Sequence, residues 1–410
     1  MAPIAVWNQS NPHGNAIIRS IAALPFLALL VWSFISLHGF GINTITGPNL
    51  NEVVLAGRIR VGATSIPTGK NFLELKVVDD FWRPRAIAFV PSTMEVDPMS
   101  WFQNFSFLVD HSMLYSIWLS ESARRVNEYT PARFPVLFGL AAQFFSPGVV
   151  APLYFFLHYV NTPLNHMRSP AMRKINPQFA RKVFLTLALF SYLPILLMSF
   201  GPSPSIRHLW AWAWQMFPLW VSVGQWIRTR MDVGESTLDQ DQSTTSERES
   251  NIIGATILAF AAISAGVWFY MLLNSPYSLT TTFVPQTVFV TSSNFVSTMR
   301  SHFQISHLSA LGSSLMWLVY LFADLKNADL VQQRWSFLLS IGALMTLCLG
   351  PGCTLAAGWY WREEILRRES NKESQERGEE ANGKDSYKKF ARQSWDEICF
   401  GGVKGRFKVL

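Results

Sequence analysis

The sequence predicts an all-α, polytopic membrane helix bundle of about eight transmembrane helices with a small loop cap. Three observations predict it. Of 410 residues, 49% are hydrophobic and only 15% charged, where a soluble chain carries roughly 25% charge. The apolar residues gather into runs close to the ~20-residue length that crosses a bilayer. The runs are continuous rather than alternating, which excludes a β-barrel and leaves helices as the spanning form.

Eight segments meet that description: 16–38, 100–122, 134–158, 183–200, 208–226, 252–273, 307–323 and 336–360. The first is too long for a signal core and has no small-residue cleavage site after it, so it is expected to persist as a helix. Residues 39–99 hold strand-like pieces, VVLAGRIRV and NFLELKVV, and are expected to form the cap. The segment 281–298 is too polar and β-branched for a ninth span and reads as an interfacial loop. Residues 231–250 read as a flexible polar loop. The bundle is thus expected over 1–360, with a polar tail, helical or disordered, over 361–410. Orientation stays open, because the basic loop 159–182 and the arginines after Trp361 vote for opposite sides.

The net charge of +7 is accounted for by basic flanks of a membrane protein, and no nucleic-acid partner is expected. Cys348, Cys353 and Cys399 show neither disulfide nor metal spacing.

The second segment, FLVDHSMLYSIWLSESARR, carries ionisable groups where burial is costly. At 100° per residue, Gln103, Ser106, Asp110, Glu121 and Arg124 fall on one stripe, each within about 40° of Asp110. Asp110 and Glu121 are separated by roughly 16 Å along the axis, so they cannot share one proton. A carboxyl buried in an apolar span is driven neutral and becomes a proton donor. The competing readings are an interfacial cap for Glu121 with Arg124, and a helix-to-helix tie for Asp110.

Other polar groups fall on inward faces. On the third segment Gln143 and Tyr154 share a face, with His158 near its end; on the seventh, Tyr320 and Asp324 do the same. The fifth holds Trp210, Trp212, Trp214, Trp220 and Trp226. An interfacial belt explains the outer ones; Trp214 lies deeper, where its face would stabilise a cation.

Several chemistries lack their motifs. No Gly-rich phosphate loop, histidine box, haem cysteine motif or DDxxD cluster is present, and Asp79-Asp80 has no third acid at that spacing. A Mg²⁺–diphosphate site is hard to build without such carboxylates.

Two elements carry a resemblance: E-S-x-R-x-x-N at Glu121, Ser122, Arg124 and Asn127, and P-L-Y-F-x-L-H from Pro152 to His158. The run that contains them resembles fungal integral-membrane terpene cyclases of meroterpenoid biosynthesis, of the ascochlorin and ascofuranone type. The resemblance implies proton-initiated opening of a terminal epoxide on a prenylated aromatic substrate, followed by ring closure, with no cofactor and no metal. It implies a lipophilic small-molecule substrate, contact with membrane lipid, cooperation with other pathway enzymes and residence in the endoplasmic reticulum. Asp110 or Glu121 would be the acid. Arg124, Asn127, Gln103, Gln143, Tyr154, His158, Trp214, Tyr320 and Asp324 would hold the substrate or shield a cation. Two other classes compete: a transporter with an intramembrane Asp/Arg site, and a membrane transferase using His158. No repeated halves support the first, and no Mg²⁺ motif supports the second.

Overall fold

The structure, a computed structural model, describes residues 12–39, 48–61, 64–68, 74–94, 96–175, 177–231, 242–286 and 294–372. Its helices are α1 (Pro12–Ala22), α2 (Leu24–His38), α3 (Pro48–Ala56), α4 (Lys76–Ala88), α5 (Val90–Thr93), α6 (Pro98–Ser122), α7 (Pro135–Phe145), α8 (Pro147–Asn161), α9 (Leu164–Arg168) and α10 (Pro170–Arg173). They continue as α11 (Pro177–Leu187), α12 (Leu193–Phe200), α13 (Pro204–Gln215), α14 (Phe217–Met231), α15 (Gln242–Asn274), α16 (Leu279–Phe283), α17 (Phe295–Asn327) and α18 (Trp335–Leu349). A last helix, α19, covers 351–372. Many start on proline, which lacks the N–H that a helix start leaves unpaired.

Among the described residues, three stretches are long and apolar enough to cross a membrane: Lys182–Phe200, Asn251–Asn274 and Phe295–Asn327. A fourth is counted if α1 and α2, bent by 45°, form one span. The expected eight continuous spans are therefore corrected, and the reasons are local. The span expected at 134–158 breaks at Ser146, whose φ is 79° and which Pro147 follows. The one at 208–226 breaks between α13 and α14, ahead of Pro218. The last breaks at Gly350 (φ 87°), ahead of Pro351, and resumes through residue 372. Backbones with positive φ or without an N–H cannot continue an α-helix. The span at 100–122 is one unbroken helix, but a polar one.

The cap is also corrected. The VVLA piece is the end of α3, not a strand; only RIRV forms β1 (Arg58–Val61), paired antiparallel to β2 (Thr64–Pro67), with Ile59 opposite Ile66. Of NFLELKVV, residues 71–73 lie outside the described residues, Glu74 has a φ of 58°, and α4 begins at Lys76. The polar loop is shorter than expected, because α15 begins at Gln242; residues 232–241 lie outside the described residues, as do 287–293 and 373–410. The segment 281–298 contains the end of α16 and the start of α17. Helix α19 runs through the expected tail boundary at 361.

Helix α6 is the axis of the bundle, buried on almost every face from Gln103 to Ser122. Helices α15, α17, α11, α12 and α7 pack around it. Small residues let α2, α8 and α17 cross closely: Gly148 O accepts from both Ser33 Oγ and Ser309 Oγ at 2.6 Å, and a Cβ on Gly148 would fall 2.8 Å from Ser306 Cα. Between α11 and α12, residues Ala188–Tyr192 form a π-turn just before Pro194. The bulge presents Ser191 Oγ to Ser112 Oγ of α6 at 2.7 Å.

Candidate active site

The α6 stripe divides into two centres. Glu121, fully buried, ends the first. Trp359 Nε1 of α19 donates to its Oε1 at 2.8 Å, and His158 Nε2 of α8 donates to its Oε2 at 3.3 Å. Trp317 Nε1 of α17 donates to His158 Nδ1 at 3.2 Å, which leaves the proton of a neutral ring on Nε2 and aims it at Glu121. Arg124 Nε stands 3.1 Å from Oε2, and Arg362 lies 3.6 Å from Oε1. Glu363 closes the set, 2.8 Å from Arg124 Nη2 and 2.8 Å from Arg362 Nη1. Two arginines and two glutamates thus balance. Asn127 supports the turn beneath, donating from Nδ2 to Glu121 O at 2.8 Å.

Arg124 does not reach this centre as a helical residue. Helix α6 stops at Ser122, Arg124 is extended (φ −77°, ψ 142°), and it bridges Ile175. The stripe arithmetic assumed that the helix continues two positions past Ser122, and the chain turns instead.

Asp110 is the second centre and a different one. Ser264 Oγ of α15 donates to Oδ1 at 2.5 Å. Oδ2 is buried without a hydrogen-bond partner; His307 Nε2 of α17 lies 3.6 Å from it. Among the described residues no arginine or lysine forms an ion pair with Asp110. Aromatic rings surround the pair: His307 stacks on Phe107 at 5.0 Å and meets Phe283 edge-on at 5.2 Å, and Phe283 stacks on Trp268 at 5.3 Å. Helix α19 closes in where it has no side chain: a Cβ on Gly352 would collide with Asp110 Oδ1 and stand 2.7 Å from Ser264 Oγ.

The other expected residues scatter. Trp214 stacks on Phe217 at 5.1 Å, with His111 edge-on at 6.1 Å. Trp214 and Gln143 line one small cavity of about 60 Å³. Tyr154 stacks on Trp118 at 4.4 Å, on the Glu121 side of α6. Gln103 is fully buried, and neither side-chain amide atom has a partner. Tyr320 and Asp324 join neither centre. Asp324 pairs with Arg19 at 2.9 Å, whose guanidinium lies 3.7 Å over Tyr159, and Tyr320 Oη donates to Ala22 O at 2.7 Å.

Sequence reasoning missed Ser264, His307, Trp359, Arg362 and Glu363 as site residues. The adjacent Trp359, Arg362 and Glu363 in WYWREE offered a signal, because three such residues at a span end can meet a buried acid. Ser264 and His307 gave none beyond being polar inside apolar runs.

Outside the centres, an apolar groove of about 900 Å³ opens between α17, α18 and α19, lined by Leu318, Phe322, Leu338 and Trp361. Its lining also includes Leu347, whose carbonyl accepts from Trp268 Nε1 at 3.0 Å.

Fold and site define a helical membrane protein that keeps a buried acid, Asp110, beside Ser264, His307 and aromatic rings. The family model of the CtvD domain matches residues 20–367, and the chain belongs to that family. The match fits the resemblance to fungal meroterpenoid terpene cyclases, without specifying the ascochlorin and ascofuranone type. The chain is 30% identical over 356 residues to "FAD-dependent monooxygenase verC1" of Penicillium polonicum, covering 87% of this chain and 44% of that one. It is 29% identical over 296 residues to "FAD-dependent monooxygenase anuJ" of Penicillium roqueforti, covering 72% and 36%. It is 29% identical over 147 residues to "Terpene cyclase ascI" of Acremonium egyptiacum, covering 35% of this chain and 36% of that one. The chain therefore spans less than half the length of these curated relatives. No solved structure matches.

Proposed function

We propose that the protein is a membrane-bound meroterpenoid cyclase in which Asp110 protonates a terminal epoxide on a prenylated aromatic substrate. The observation that carries this reading is the Oδ2 atom of Asp110, buried among rings, which among the described residues has no hydrogen-bond partner and no arginine or lysine against it, only His307 Nε2 at 3.6 Å. An acid so placed gives up a proton to an incoming oxygen, whereas a carboxylate between arginines does not.

In the proposed step, the Asp110 proton moves to the epoxide oxygen and the C–O bond to the more substituted carbon breaks. The π electrons of a neighbouring alkene, or a hydroxyl lone pair, form the new bond. A proton leaves the cyclised cation for the Asp110 carboxylate or for His307, so the product is an isomer of the substrate. Phe107 and Phe283 face the developing cation, a contact worth about 2 kcal/mol when desolvated. Glu121 serves as an anchor: its oxygens already accept from Trp359 and His158, and Arg124 and Asn127 hold it in place. Tyr154 and Trp214 line the rest of the interior.

The relative named a terpene cyclase supports the reading, and the monooxygenase names are compatible with it. A dinucleotide such as FAD does not fit the residues here: the described chain holds one two-stranded hairpin, no strand–helix–strand unit and no Gly-rich phosphate loop. No step is assigned to it. More than half of verC1 and of anuJ lies outside the match. A monooxygenase would supply an epoxide, so the two activities belong to consecutive steps.

A lipophilic substrate suits the groove beside α18, reached from the bilayer. If each broken pair and the polar α6 count as crossings, the bundle has eight spans, and we place it in the endoplasmic reticulum membrane.

The test feeds epoxidised prenyl-phenols to microsomes carrying wild type, Asp110→Asn or Glu121→Gln. A product of unchanged mass, formed by wild type and absent with Asp110→Asn, is expected. No conversion across the panel by a folded, abundant wild type would overturn the cyclase and favour transport.

A further inference from the structure

The cavity of about 60 Å³ is lined by Phe107 and Leu108 of α6, three and two residues before Asp110, together with residues of α4, α7, α13 and α17. Three of its lining groups are buried donors with nothing to donate to: Gln143 Nε2, Gln215 Nε2 and Trp214 Nε1. A buried donor left unpaired costs about 1–3 kcal/mol, so three around one void mark a place where an acceptor belongs. A guanidinium reinforces the set. Arg85 lines the same cavity, held by its Nε on Gln143 O at 3.2 Å and by the faces of Phe81 at 4.4 Å and Phe144 at 4.7 Å. The remaining lining is largely apolar, including Phe89, Phe303 and Met299. The volume admits one small oxygen-bearing group rather than a whole terpenoid.

Resting on the cyclase reading, we infer that this cavity is an acceptor-binding subsite that holds the carboxylate or carbonyl of the substrate's aromatic head. Phe107 forms a shared wall: one side lines the cavity, and the ring also stacks on His307 beside Asp110. A substrate anchored by its oxygenated head against Gln143, Gln215 and Trp214 has only to fold its prenyl tail around Phe107 to bring the epoxide to Asp110. The subsite thereby selects head-group chemistry, and the acid selects the tail.

The test uses detergent-purified full-length protein and two probes without an epoxide, so that binding is read without turnover: farnesyl-2,4-dihydroxybenzoic acid and farnesylbenzene. Calorimetric titration of wild type is expected to show the acid probe binding at least ten-fold more tightly. Gln143→Leu and Gln215→Leu are each expected to cut that ratio about five-fold, leaving farnesylbenzene affinity as in wild type. Gln143→Glu sets carboxylate against carboxylate and should weaken the acid probe further, with unfolding temperature confirming each fold. Equal binding of both probes by wild type means the cavity holds only water and overturns the proposal. So does a ratio unchanged in both leucine variants. Binding preference without conversion of any epoxide would instead sink the cyclase reading and leave the subsite standing.

Discussion

Asp110 and Glu121 lie on one helix, and both are almost wholly buried, yet their surroundings are opposite. Glu121 meets Trp359, His158 and Arg124, with Arg362 and Glu363 completing a set of two positive and two negative charges. Asp110 meets one serine and, at 3.6 Å, one histidine. Burial alone therefore does not identify a reactive acid. Removing water is offset around Glu121 by donors and cations and is left largely uncompensated around Asp110. A carboxylate whose oxygens are spoken for is an anchor; one with a free oxygen among rings is available for chemistry.

Substitutions break this comparison in order of size. Asp110→Asn keeps the shape and removes the proton. Turnover should fall by about 10²–10⁴, the usual span for general acid catalysis, with little change in unfolding temperature. A variant within three-fold of wild type would end the assignment. Glu121→Gln should act on stability instead, costing about 3–5 kcal/mol by leaving buried arginines unmatched. Chemical denaturation in detergent reads this, and a loss below about 1 kcal/mol would mean the cluster is not an anchor. Glu121→Leu combined with Arg124→Leu leaves Arg362 facing Glu363, so the double variant should recover much of that loss.

Gly352→Ala sharpens the contrast at the other centre. The added methyl collides with Asp110 Oδ1 and crowds Ser264. Overpacking costs about 1–3 kcal/mol, and turnover should fall about ten-fold through the displaced acid; unchanged turnover would show that α19 does not position Asp110. Smallest is Ser264→Ala, which removes the hydrogen bond to Oδ1. A net bond of this kind is worth about 0.5–1.5 kcal/mol, so a few-fold change in turnover is expected. No change in either turnover or its pH dependence would count against Ser264 orienting the acid.

Much of this was legible along the chain. Hydropathy placed helices where they occur, and the 3.6-residue period put Gln103, Asp110 and Glu121 on one buried line. The breaks at Ser146 and Gly350 were signalled by the prolines that follow them, but their φ values of 79° and 87° depend on neighbours packed from elsewhere. Arg124 shows a different failure. Periodicity assumed that α6 continued, and the turn at Ala123 brought the guanidinium to Glu121 by another path. Tyr320 and Asp324 share a face with Trp317, yet their partners are Ala22 and Arg19 rather than either acid.

By itself, the sequence determined that the protein is a helical membrane bundle, because apolar runs too continuous for strands leave lipid no other solution. It also put Asp110 and Glu121 on one buried line, because helical period is a property of the backbone. Only the tertiary structure decided that Glu121 is matched by two arginines while Asp110, among the described residues, meets none. The deciding groups, Ser264, His307, Trp359 and Arg362, stand on α15, α17 and α19, more than 150 positions away. The charge state a carboxylate can sustain depends on the donors and cations within a few ångströms, and those are brought there by packing.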